Sequence, residues 1–127
     1  MATVFVYGTL RSDERVATLL DAYAWDGAAV LDGLRMVAGR YPTLVPGGSV
    51  EGQLLETSQI GRLDDYEGVD RGLYVRVSIP VDDGGSAEVY VGDPRRLDID
   101  DPWPGTDPFG SRVEGYLATH DVVLRRA

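Results

Sequence analysis

Leu63-Asp64-Asp65-Tyr66-Glu67-Gly68 is the end of a short helix set between two strand-rich halves of the chain. The helix is predicted to begin near Thr57 or Ser58, both good capping residues. Gly68 is a natural stop, because the left-handed residue just past a helix is least strained as glycine. Ile60, Leu63 and Glu67 fall at i, i+3 and i+7, so they share one face. Ile60 and Leu63 are core anchors, and Glu67 is carried inward with them. Asp64 and Asp65 are expected to project towards water. A carboxylate on an apolar face is costly unless it is paired, solvated in a pocket or protonated. The helix dipole is negative at this end and adds to the cost. Burial and dipole together raise the pKa of Glu67, towards the range where a carboxyl takes and returns a proton near neutrality. The same spacing also admits a solvated glutamate, or one paired with Arg71 or Arg76.

Working outward, strands dominate. Thr3-Val4-Phe5-Val6-Tyr7 is β-branched and aromatic, apolar on both faces, and predicts a central first strand. Gly8-Thr9-Leu10-Arg11-Ser12 follows. Successive amides of such a glycine turn can point into one concavity and hold an anion. A plain strand-to-helix connection capped by Ser12 or Asp13 is the other reading. Val16, Leu19, Leu20 and Tyr23 predict a helix over 15–23. Residues 26–38, broken by Gly27 and Gly33, read as one bulged strand or two short ones. A loop is expected over 39–48, then a strand over 50–55 in which Gly52 marks a bulge or a close backbone approach. Leu73 to Val81 alternates with period two. Asp82-Asp83-Gly84-Gly85 is a hairpin turn, and Ala87 to Val91 returns antiparallel. Residues 93–111 are rich in Pro, Gly and Asp and read as one long irregular segment. Residues 113–119 and 122–125 read as closing strands, or one strand and a tail. His120-Asp121 reads as a surface turn, and Trp103 as a loop residue open to an interface. The pattern predicts a single α+β domain over 1–127: a small mixed β-barrel of about six to seven strands with flanking helices.

Composition narrows the chemistry. The net charge is −9, all twelve cations are arginine, and fifteen of the twenty-one acids are aspartate. Phosphate-backbone binding needs a basic face, so nucleic acid is not an expected partner, and an anionic membrane surface is disfavoured for the same reason. No apolar run approaches the length of a membrane span and the first residues read as a strand, so a cytoplasmic protein is expected. There is no cysteine and one histidine, His120. Thiol nucleophiles, thiolate metal sites and two-histidine zinc motifs are thereby excluded. Carboxylates, tyrosines, hydroxyls and backbone amides remain. No metal and no cofactor is expected.

Several segments together resemble the γ-glutamyl cyclotransferase-like (AIG2-like) family. They are Val6-Tyr7-Gly8-Thr9-Leu10-Arg11, Tyr41-Pro42, Val50-Glu51-Gly52-Gln53-Leu54, Leu63 to Gly68, Leu73-Tyr74-Val75-Arg76 and Val89-Tyr90-Val91. They stand in family order over roughly residues 3–92. The resemblance implies a small barrel with a cavity, in which the loop from Tyr7 through Gly8 and Thr9 to Leu10 binds the glutamyl part of a small γ-glutamyl substrate. It implies that Glu67 is the general acid/base of a reaction that releases an amine and 5-oxoproline. Tyr74 is expected to line the pocket, with Tyr116 closing it from the C-terminal side. Arg11 and Arg76 are expected in structural contacts, and residues 93–127 carry no segment that can be placed firmly in the family. A non-catalytic small-molecule-binding module with the same pocket is the alternative.

Overall fold

The structure is a computed structural model that describes residues 1–8, 10–100 and 102–127, with Thr9 placed only as part of a helical turn. Six strands form one mixed sheet: β1 (Ala2–Val6), β2 (Ala24–Val37), β3 (Thr43–Thr57), β4 (Tyr74–Pro80), β5 (Ser86–Gly92) and β6 (Val123–Arg126). Their spatial order is β4-β5-β1-β3-β2-β6. β1 runs parallel to β5 and antiparallel to β3. The sheet curls into a half-barrel until its two edges meet, where Val81 bridges Leu124 and the Asp82 amide donates to the Leu124 carbonyl at 2.8 Å. Three helices flank it: α1 (Asp13–Leu19), α2 (Ile60–Glu67) and α3 (Phe109–Thr119). Among the described residues no helix is long and apolar enough to cross a membrane.

The apolar character of both faces of β1 has a direct cause. Phe5 points into the barrel with Leu31, Leu54, Val89 and Leu124. Val4 and Val6 point the other way, into a second core with Val16 of α1, Leu63 of α2 and Tyr90 of β5. A strand between two cores has no polar face to spare. Gly52 lies beside it in β3. A side chain there would stand 2.3 Å from the Val6 carbonyl and 2.6 Å from the Phe5 ring. The predicted close approach is therefore real, and it is β1 that approaches.

Several expectations need correction. α1 stops at Leu19, and Tyr23 instead packs edge-on against Trp25, both ring donors reaching Asp13. The loop expected over 39–48 is shorter, because β3 already runs from Thr43 and carries Pro46, Gly47 and Gly48 within it. Of the two readings of residues 26–38, the single bulged strand holds: residues 26–37 belong to β2, with register shifts at Gly27 and Gly33. Residues 113–119 are helical: Phe109, Val113, Tyr116 and Leu117 recur at helical spacing and bury against the barrel mouth. Trp103 is 3 % exposed, packed edge-on to Phe109 and Tyr116, so it is core and not an interface loop.

Gly52→Ala is expected to lower unfolding stability by about 1–3 kcal/mol, since the added methyl meets backbone that cannot swing aside. Chemical denaturation of the two proteins checks this, and an unchanged midpoint would contradict the close approach.

Candidate active site

α2 delivers Glu67 to its place by three contacts. Leu63 is fully buried in the second core. One turn from Glu67, Asp64 accepts a hydrogen bond from the Tyr90 hydroxyl at 2.7 Å and lies 3.4 Å from Arg76. Asp64 is thus tied to the sheet, not free in water as its position suggested, and Arg76 is engaged there and not at Glu67. Gly68 then closes the helix at φ 70°, its amide turned back to the Asp64 and Asp65 carbonyls. The expected capping at the other end is partial: Gln59 is the cap position without a side-chain bond, while the Thr57 hydroxyl accepts from the Gln59 amide at 3.0 Å.

Held this way, Glu67 faces a cavity of about 370 Å³ lined by Phe5, Val6, Tyr7, Leu10, Arg15, Tyr41, Pro42, Tyr66, Arg71, Leu73, Tyr74 and Tyr90. That volume suits a small molecule. Among the described residues Glu67 has no hydrogen-bond partner and no arginine within ion-pair distance. Burial alone pushes its carboxyl from 4.5 up to about 7. Near neutrality it is divided between the acid and the carboxylate, the state in which a group both accepts and donates protons.

Three tyrosines stand around it. The Tyr7 hydroxyl donates to the Tyr90 carbonyl at 2.5 Å, and the Tyr74 hydroxyl to the Pro42 carbonyl at 2.5 Å. Burial raises all three phenols well above their ordinary range, helped for Tyr7 by Tyr74 and Glu67, for Tyr74 by Glu67, and for Tyr90 by its bond to Asp64. They stay protonated, and each spends its proton on a protein acceptor. What their oxygens still offer a ligand is lone pairs.

Of the residues singled out from the sequence, Glu67, Tyr7, Leu10 and Tyr74 come together around this cavity. Gly8 makes the turn after β1 at φ 63°, without lining the cavity itself. Thr9 belongs to the same helical turn, and its side chain lies outside the description. Ser12 caps α1, accepting from the Arg15 amide at 3.4 Å. Tyr116 is elsewhere, stacked on His120 at 3.8 Å between ring centroids, and does not close the cavity. Arg11 is exposed and forms no ion pair among the described residues. Sequence reasoning missed Arg15, Tyr41, Tyr66 and Arg71 at the rim. Tyr66 is the neighbour of Glu67, and Tyr41 and Tyr66 are 53 % and 38 % exposed at the mouth of the cavity. Among the described residues no group of three or more His, Asp or Glu side chains is placed to hold a metal ion.

The family model described as "Gamma-glutamyl cyclotransferase, AIG2-like" matches residues 4–118, so the likeness runs past residue 92 and takes in most of the C-terminal stretch that carries no family motif of its own. A solved structure named gamma-glutamyl cyclotransferase is similar at 21% identity and a TM-score of 0.61, over 72% of this chain and 66% of that one. This chain therefore spans a little under two thirds of that relative. An uncharacterized protein from Pyrococcus horikoshii is 19% identical, with a TM-score of 0.59 over 94% of this chain and 100% of its own. At these identities the likeness is one of fold. The ytfP protein of Escherichia coli is 28% identical, with a TM-score of 0.55 over 72% and 82% of the two chains. A comparison with curated proteins finds no match.

The burial of Glu67 has a stability signature whose sign is fixed. Its folded pKa lies above its unfolded one, so its favourable contribution is complete below about pH 4.5 and is lost as pH rises to about 7. Glu67→Gln keeps the shape and removes the charge. The variant is expected to match the wild type near pH 4 and to exceed it by on the order of 2–3 kcal/mol at pH 8. Urea titrations of both proteins across that range measure the difference, and a pH-independent gap would mean the carboxyl is not desolvated.

Proposed function

The chain belongs to the gamma-glutamyl cyclotransferase, AIG2-like family, and from that premise we propose that it cyclises small γ-glutamyl conjugates, releasing 5-oxoproline and an amine, with Glu67 as the general acid/base. The observation that carries this reading is a carboxyl in the cavity, with no arginine within ion-pair distance among the described residues and with a pKa of about 7.

The substrate's α-ammonium is not a nucleophile until it loses a proton, and the Glu67 carboxylate takes it. The freed amine attacks the γ-carbonyl carbon of its own glutamyl chain, and a carbon–nitrogen bond closes the five-membered ring. Glu67 gives its proton to the departing nitrogen as the old amide bond breaks. The second proton shed by the ring nitrogen follows the same route. The amine thus leaves as an ammonium ion and Glu67 is ionised again. No water is consumed and no protein nucleophile is needed, which suits a chain without cysteine. Because the attack is intramolecular, holding the glutamyl chain folded supplies much of the acceleration. The backbone amides of the turn from Gly8 through Thr9 to Leu10 are suited to the glutamyl carboxylate or to the developing oxyanion. The Tyr7 and Tyr74 oxygens, their protons already committed, are suited to accept from the α-ammonium.

Incubation with a panel of γ-glutamyl amino acids and amines, with 5-oxoproline read by chromatography, tests the reading. Turnover is expected for some members, and Glu67→Gln is expected to lower kcat by about 10²–10⁴ with the fold retained. The kcat/KM of the wild type is expected to fall as pH drops through about 7, because the base must be ionised. Binding without any 5-oxoproline across the panel would turn the protein into a binding module. Turnover by Glu67→Gln at the wild-type rate would remove Glu67 from the chemistry.

A further inference from the structure

In a chain with twenty-one acids and twelve arginines, the cavity lining reverses the balance. It holds two arginines, Arg15 and Arg71, and one acid, Glu67. Resting on the cyclotransferase reading above, we propose that Arg15 and Arg71 form an anion-reading rim. It selects γ-glutamyl conjugates whose departing amine carries a carboxylate over those whose departing amine is uncharged.

The positions of the two side chains carry the argument. Arg15 belongs to α1, and its Nη1 donates to the Tyr66 hydroxyl at 3.4 Å, which brings the guanidinium across to the residue beside Glu67. Arg71 ends the 3-10 turn Val69–Arg71 that follows Gly68. Its Nη2 lies 2.7 Å from where a side chain on Gly68 would begin, so it covers the end of α2. Neither is within ion-pair distance of a carboxylate among the described residues, whereas Arg40, Arg62, Arg76, Arg125 and Arg126 all are. Both are exposed, while Glu67 and the three tyrosines lie deeper. The reacting γ-carbonyl must sit at Glu67. The part of the conjugate that extends beyond it towards solvent is the part beyond the scissile bond, and that part meets the arginines. A guanidinium offers a planar fork of donors that matches a carboxylate in two parallel hydrogen bonds. Against an overall charge of −9, such a rim also gives an anionic ligand a local attraction that the rest of the surface denies it. Tyr41 and Tyr66, exposed beside the rim, offer apolar faces to the body of the departing group.

The test compares γ-glutamyl-alanine with γ-glutamyl-alaninamide, which differ by one charge on the departing half. The wild type is expected to favour the carboxylate form by roughly tenfold in kcat/KM, mostly through KM. The preference is expected to shrink between about 0.05 and 0.5 M salt, as an exposed charge pair is screened. In Arg15→Gln and Arg71→Gln the ratio of the two kcat/KM values is expected to move towards one. Equal kcat/KM for the two compounds in the wild type, or an unchanged ratio in both variants, overturns the proposal. Calorimetric titration of both compounds into Glu67→Gln asks the same question without turnover, and tighter binding of γ-glutamyl-alanine is expected. Equal binding, or no binding of either, overturns the rim. Preferential binding with no 5-oxoproline from the wild type supports the rim while removing the cyclotransferase reading.

Discussion

The hydrogen bond from the Tyr90 hydroxyl to Asp64 and the burial of Leu63 fix the rotation of α2 about its own axis, and the cavity depends on that rotation. A helix of eight residues contributes little stability of its own, so tertiary contacts decide how it lies. Two adjacent positions are committed at once, one by an apolar contact and one by a polar contact. Glu67 is three residues beyond Asp64 and four beyond Leu63, so it shares their side of the helix. It has no freedom to turn outward without breaking one of the two. The desolvation that raises its pKa is therefore imposed by the fold and not chosen by the side chain.

The same constraint explains why the pocket is built from tyrosines. A phenol has an apolar ring for the core and one hydroxyl that needs a partner. Tyr7, Tyr74 and Tyr90 each find that partner within the protein, in a carbonyl or in Asp64. Around an uncompensated carboxyl they supply a wall that is neither charged nor fully apolar. An arginine in any of these places would hold Glu67 ionised, and an aliphatic side chain would leave a polar ligand without partners.

Much of this was legible in the sequence, and the misreadings have physical reasons. β1 announced its central place because an apolar run on both faces has few other homes. Gly52 and Gly68 were legible because a close approach and a left-handed turn leave few alternatives to glycine. Spacing set Glu67 on the face of Ile60 and Leu63 but equally admitted a solvated or arginine-paired glutamate, because pairing depends on residues far away in sequence. Asp64 was misjudged for that reason: its partner Tyr90 is 26 positions distant. α3 was misread because Gly110, Gly115 and the preceding Pro-rich run dilute a helical signal carried by only four apolar residues. The start of β3 was hidden by Pro46, Gly47 and Gly48, which read as a loop although long strand pairing with β2 absorbs them. Arg15, Tyr41, Tyr66 and Arg71 come from four separate segments, so no local pattern joins them.

The pairing of β1 with β5 bears on how the protein acquires its cavity. Tyr7 and Tyr90 are bonded across 83 positions of chain. Closing so long a loop costs entropy before any contact compensates for it, and folds dominated by such separations reach the native state slowly. The floor of the cavity therefore exists only where the distant strands have docked. A partly folded chain that has formed only the neighbouring β2–β3 hairpin has no pocket at all. Binding competence thus requires the docked strands, and a ligand that fits the cavity stabilises the folded chain over the unfolded one by mass action.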